Sequence, residues 1–371
     1  MNAERLHAVL LPVQKELASA DFVPVLQQLV NGLQGQLSQP SNPANQQITS
    51  QSLARLRSFL QSAPSNEFSP AWNQILKEIG AFDFLGSNLS ERIGKVFEQN
   101  QITPSIALQE IQKINQSVIQ LKNFVEQVVS GFAGLHIEAD KLAPGACEVG
   151  VTIPRGAVNN ELGSLGGELR IINLMLADFN ELATGERHGF AVRTISSTDF
   201  MFHVQMAPVA AACLASAIER IVRVYKSLLE IRRLRFELEN QGLSKEELKG
   251  VEEHANEKME KEIEEINVEI INKYCKIEDV GRRNEITNSL KINLCRWANR
   301  IDKGYNVEIR SEPPNTKKKE DLTQEYLDII KSAEQTLLYI RVDGSPILSL
   351  PEQAAVGDAS EEVLLKKKKA R

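Results

Sequence analysis

The chain has 371 residues, 42% hydrophobic and 25% charged, with a formal net charge of −6. Such a length can build two or three ordinary cores, and this much apolar content excludes a wholly disordered chain. The acidic balance argues against a protein that coats nucleic acid, and 5% aromatic residues mean that the cores must be largely aliphatic, as in helix bundles.

At the N-terminus, Leu6, Val9, Leu10, Val13 and Leu17 recur at helical spacing. Ala18-Ser19-Ala20 resembles a signal-peptidase site, but Gln14, Lys15 and Glu16 interrupt any apolar leader, so the expectation is an amphipathic helix and a cytoplasmic protein. Residues 1–36 read as a helix or helix pair broken near 21–24. The stretch 34–52, rich in Gln, Asn, Ser and Pro, has little to bury and is expected to be a linker. Short amphipathic helices are expected at 53–60, 70–79 and 89–98. The next helix starts at Thr103-Pro104, where a missing N–H costs nothing. Its apolar residues Ile111, Ile114, Val118, Leu121, Val125, Val128 and Phe132 alternate in steps of three and four. Ile106, Ile119, Phe124 and Val129 widen that stripe, which favours a helix bundle or hairpin over a two-stranded coiled coil. Residues 1–135 are thus read as a helical N-terminal region.

The pattern then changes. Residues 148–153 form a β-like run closed by Pro154. A loop containing Gly163-Ser164-Leu165-Gly166-Gly167 leads into a helix ending near 183, and 184–189 form a turn. Strands are predicted at 190–195 and 200–205, joined at 196–199, with Phe200, Phe202, Val204 and Met206 on one face. A long helix follows over 208–241. Strand, helix, strand, strand, helix is most of a ferredoxin-like two-layer sandwich, assigned to 136–242.

From Cys213 to Ile231 the apolar side chains of that long helix cover more than half its circumference, while Glu219, Arg223, Lys226, Glu230 and Arg233 share the remaining strip. Beyond Ile231, Arg232, Arg235 and Glu239 enter the formerly apolar sector. Either the helix emerges from the core there, or it forms an ion-paired interface with another subunit. Gly242 stops the helix, and Ser244 and Glu247 have capping-box spacing. The next helix is roughly 45 Å long at 1.5 Å per residue. It carries the narrow stripe Leu248, Val251, Ala255, Met259, Ile263, Ile266, Ile270 and Tyr274. Residues 244–270 hold ten glutamates against four lysines. This acidic arm is expected to fold back on the 208–241 helix or to meet a partner helix.

The region 243–350 ends in a second α+β piece. Ile286, Leu290, Leu294, Trp297 and Ile301 mark a helix, 305–310 a strand and 322–335 a helix, with Lys317-Lys318-Lys319 in a loop. Residues 337–342 and 346–350 flank the turn signal Asp343-Gly344, although Pro346 weakens the second strand. The tail 351–371, with Lys366 to Lys369, is expected to be disordered. The fold class expected is α+β, predominantly helical.

Candidate chemistry is sparse. The 163–167 glycines would cradle a phosphate only as part of a fuller motif, and no P-loop lysine is present. Cys147, Glu186 and His188 would make a nucleophilic site only if they met in one pocket. His203 alternates with the apolar face of its strand and reads as a sheet-surface histidine. The four cysteines, Cys147, Cys213, Cys275 and Cys295, form no C-x-x-C pair and read as free thiols in a reducing compartment, Cys213 in a core. No metal-ligand spacing occurs, no cofactor is expected, and the longest apolar run, 206–218, is too short for a membrane span of roughly 20 residues.

The sequence therefore points to a non-catalytic binding or scaffolding protein that self-associates or binds another protein through helical surfaces. Its expected interaction residues are Arg232, Arg233, Arg235, Glu239, Leu248, Val251 and Met259. Two alternatives remain. One is nucleic-acid binding through Arg220, Arg223, Lys226, Arg232, Arg233, Arg235 and the lysine tail. The other is a nucleotide-dependent or hydrolytic enzyme using the 163–167 loop and His188.

Overall fold

A computed structural model describes residues 2–100, 103–196, 200–242, 248–312, 321–337 and 344–353. The chain divides into two compact units, Met1–Lys141 and Leu142–Arg371.

The N-terminal unit is entirely helical among its described residues. It comprises α1 (Ala3–Leu17), α2 (Val23–Ser38), α3 (Pro43–Gln61), α4 (Pro70–Glu78), α5 (Gly86–Gln99) and α6 (Pro104–Gly134). The α6 seam from Ile111 to Val125 is buried within this bundle, and α6 packs on α1, α2 and α5. The regular spacing thus serves an intrachain core.

The stretch 34–52 is not a linker, because α2 runs to Ser38 and α3 begins at Pro43. Asn42 caps α3 by accepting from the Ala44 N–H at 3.0 Å, and Pro43 takes the first helical position. Besides burying Leu26, Leu29, Leu56 and Leu60 in the core, α2 and α3 approach closely at two glycines. A Cβ on Gly32 would lie 2.6 Å from the Thr49 hydroxyl, and one on Gly35 would lie 2.7 Å from the Asn45 amide.

A second constraint is Glu16, which is 2% exposed. Its carboxylate accepts from the Ser65 N–H (3.0 Å), the Ser65 hydroxyl (3.1 Å) and the Gly86 N–H (3.0 Å). Burial raises the Glu16 pKa despite these three donors. The contact fastens the 64–67 turn and the start of α5 to α1.

The C-terminal unit contains β1 (Cys147–Ile153), α7 (Leu162–Thr184), β2 (Val192–Ser196), β3 (Phe200–Met206), α8 (Pro208–Asn240), α9 (Lys249–Tyr274), α10 (Val280–Asp302), β4 (Asn306–Ser311) and α11 (Asp321–Thr336). The strand order is β2-β3-β1-β4, with every neighbouring pair antiparallel. This is the split βαβ arrangement in which the first and third strands are central. The strand that completes it is β4, reached only after α9 and α10. Residues 136–242 and 243–350 therefore share one sheet and one apolar core.

Helix α8 runs through the middle of this unit, touching α7, α9, α10, α11, β1 and β4. Ala210, Ala211, Ala212, Cys213, Leu214, Ala215 and Ala217 are all fully buried. The acidic helix α9 folds back antiparallel on α8 and inserts Ala255, Met259, Ile263, Ile266 and Ile270 into the shared core. Its carboxylates meet cations of its neighbours. Glu262 and Glu269 pair with Arg220, Glu252 with Arg235 at 2.7 Å, and Glu264 with Lys291 of α10 at 2.9 Å. Of the two readings of the arm, the intrachain hairpin is the one observed. The capping-box pair Ser244 and Glu247 lies outside the described residues, as do Lys317 to Lys319, residues 338–343 and the tail from 354. No described helix is long and apolar enough to cross a membrane.

The close approach of α2 and α3 is checked by substitution. Gly32→Val is expected to destabilise the N-terminal unit by about 1–3 kcal/mol, the usual cost of overpacking. Gly94→Ala in α5, where no atom lies within 4 Å of the added Cβ, is expected to gain roughly 0.5–1 kcal/mol of helix propensity. Thermal melts followed by circular dichroism would read both. Equal melting temperatures for the two variants would refute the glycine contact.

Candidate functional site

The residues singled out for chemistry do not form a reactive centre. Gly163, Gly166 and Gly167 lie inside α7, so the glycine-containing run expected as a loop is a turn of helix. Cys147 is fully buried in β1, and burial pushes its thiol up to about 12. A thiol in that state is a poor nucleophile. His188 pairs with Glu186 at 2.6 Å on an exposed turn after Gly185, which ends α7 at a φ of 82°. His203 is not a surface histidine, being buried on the polar side of the sheet. In register it lies opposite Gly150, which lies opposite Glu308. Because Gly150 has no side chain, His203 and Glu308 come within 3.8 Å across the central strand. A Cβ there would meet the imidazole at 2.6 Å. Beside them Glu148 accepts from Arg193 at 2.7 Å and Arg310 at 2.8 Å. Among the described residues no group of three or more His, Cys, Asp or Glu is placed to hold a metal ion.

The expected interaction residues are largely enclosed by their own chain. Arg232, Arg235, Leu248 and Met259 are buried, and Val251 is half-buried. Arg233 is exposed and pairs with Glu237 at 3.0 Å, while Glu239 pairs with Arg235 at 3.1 Å. Residues 344–353 help enclose Arg232 and Arg235, running without regular secondary structure against α8, α9 and α10. They do not form the expected strand 346–350. Asp302, fully buried at the end of α10, is the key group. Its Oδ1 accepts from the Tyr225 hydroxyl at 2.8 Å and from Arg232 at 2.7 Å. Its Oδ2 accepts from the N–H groups of Ile347 and Leu348, both at 2.7 Å. Burial, with the Asp302 charge beside it, raises the Tyr225 pKa and keeps the phenol a donor. Sequence reasoning passed over Asp302. The available signal was an acid on the last residue of a helix, where the dipole favours a cation.

The remaining arginines of the basic strip are also engaged. Arg220 pairs with Glu262 and Glu269, and Arg223 pairs with Glu219 at 2.9 Å. The strip is therefore a set of ion pairs, which weakens its attraction for phosphates.

The C-terminal unit also carries an apolar cleft of about 250 Å³ between α7 and the β2–β3 edge. Leu165, Leu169, Leu176, Phe190, Phe200 and Phe202 contribute to its wall. Strand β2 is outermost in the described sheet, and its Val192 and Ile195 are 58% and 71% exposed. Both sit opposite apolar residues of β3, Val204 and Phe202. The β2–β3 register shifts between Val192 and Thr194. The run 190–195 was legible as a strand, but its place at the sheet edge depends on long-range pairing.

No protein-family model matches this chain, and no curated protein or solved structure matches it either.

Thiol reactivity follows from burial. Burial raises the Cys213 and Cys295 pKa values, Cys295 to about 11, whereas Cys275 is half-buried. Ellman's reagent at pH 8 is expected to titrate one thiol in the native protein and four after denaturation. Cys275→Ser should abolish the native reaction. Rapid labelling of a second native thiol would contradict the buried placement.

Proposed function

We propose that this protein is a non-catalytic binding protein whose working surface is the apolar cleft beside β2, where it takes apolar side chains from an extended segment of a protein partner. The observation that carries this reading is an outermost strand with exposed Val192 and Ile195 beside a cleft walled by leucines and phenylalanines. A partner strand added to such an edge gains main-chain hydrogen bonds, and the cleft supplies side-chain specificity. Burial of one Leu- or Phe-sized anchor contributes about 1.5–3 kcal/mol, so one or two anchors give a reversible association. The high thiol pKa values of Cys147 and Cys295 and the pairing of the α8 arginines support a binding role over a nucleophilic or phosphate-binding one.

The cleft is tested with 8-anilinonaphthalene-1-sulfonate as an apolar probe. One molecule is expected to bind per chain, at least tenfold more weakly in Leu169→Glu protein. Leu135→Glu, at an exposed site in the N-terminal unit, should leave binding unchanged. Equal affinity in wild type and Leu169→Glu would eliminate the cleft. Light scattering after size exclusion then identifies the partner. A doubled mass lost in Ile195→Glu would assign the segment to a second copy, and a monomer in both would assign it to a different protein.

A further inference from the structure

We propose that the groove holding residues 344–353 is a peptide-recognition site, and that this segment is its resident self-ligand. An extended partner peptide of the same chemistry would displace it: proline, two adjacent aliphatic residues, a small polar residue, a third aliphatic residue, proline and an acid. This site is separate from the β2 cleft and does not depend on the reading given for it.

The way the segment is held carries the inference. Its main chain is bonded by side chains of the groove. Asp302 accepts from the Ile347 and Leu348 N–H groups. Asn256 accepts from the Ser349 N–H at 2.9 Å. The Asn299 amide satisfies both sides of Leu350, accepting from its N–H at 2.9 Å and donating to its carbonyl at 3.0 Å. Arg235 donates to the Pro346 carbonyl at 2.9 Å, Arg296 to the Glu352 carbonyl at 3.0 Å, and Arg232 to the Gly344 carbonyl. Such contacts read main-chain groups whatever the side chains. Selectivity comes from the buried Ile347, Leu348 and Leu350, and from the Glu352 carboxylate, which accepts from Asn299 at 2.8 Å.

Several groups on the groove side are also held by partners outside the segment. Asp302 gives one oxygen to Tyr225 and Arg232 and the other to the peptide. Arg235 is fixed by Glu252 and Glu239, and Arg300, beside Glu352, is fixed by Glu168 at 2.6 and 3.1 Å. These supports come from α7, α8 and α9. A preorganised inner set of groups backed by outer partners is how peptide sites retain their geometry when empty.

The test uses the full chain and a fluorescein-labelled decapeptide with the sequence of residues 344–353. A tethered segment competes at an effective concentration on the order of millimolar, so wild-type protein should bind the peptide weakly. Leu350→Asp weakens the resident copy and is expected to raise peptide affinity at least tenfold. Adding Asn299→Ala should remove that gain, a scrambled peptide should not bind, and Leu169→Glu should have no effect. A folded Leu350→Asp variant that binds no peptide would overturn the proposal. Should that variant fail to fold, hydrogen exchange on wild type decides. Amides of Ile347, Leu348 and Leu350 should exchange at least 100-fold faster than those of Val149 and Val151. Exchange of both sets at one common rate would show a fixed segment and overturn it.

Discussion

The C-terminal unit depends on the enclosure of α8. A helix that meets other elements on nearly all sides needs small residues where they come closest, and the 210–217 stretch supplies five alanines. The sheet contacts it through β1 and β4, and four helices pack around it. Large side chains along this stretch would force the sheet away from α9 and α10, because a close-packed interior has no spare volume. The same tightness makes α8 a poor site for chemistry and a good frame for sites at its margins.

Charge is handled by pairing rather than exposure. The acidic excess of α9 would repel itself in a free arm. Packed on α8 and α10, its glutamates face Arg220, Arg235 and Lys291. The deepest pair, Arg232 with Asp302, is more demanding. Removing two charges from water is costly, and a buried pair is tolerated only when its remaining lone pairs and protons are bonded. Tyr225 and the backbone of Ile347, Leu348 and Gly344 meet that need. The pair thereby specifies where the 344–353 segment lies.

Much of the secondary structure was readable because apolar period and caps are local. The α6 stripe, the four strands and the break at Gly242 all follow from residues within a few positions of one another. The 34–52 stretch was misread because its packing rests on glycines 32 and 35 meeting Thr49 and Asn45, which no hydrophobic count registers. Arg232 and Arg235 looked like a partner surface because a charged residue on an apolar sector signals an interface equally well within a chain or between chains. Their partners, Asp302 and Pro346, lie about 70 and 111 residues away. The β2 cleft needs β2 outermost, which becomes visible only when β1 pairs with β3, while β4 joins the sheet on the far side of β1.

That placement has a consequence for the nascent chain. Glu148 of β1 meets Arg310 of β4 across a sequence separation of 162 residues. At a synthesis rate of about 5–20 residues per second, β1 emerges roughly 8–30 seconds, and β3 roughly 5–20 seconds, before β4 can pair. Throughout that interval the central strand of the finished sheet is an edge strand, with one row of peptide groups unpaired. The helices made in the meantime cannot cap that row with backbone hydrogen bonds. The protein is therefore most open to mispairing late in synthesis, and a chain stopped short of residue 306 would retain that open edge.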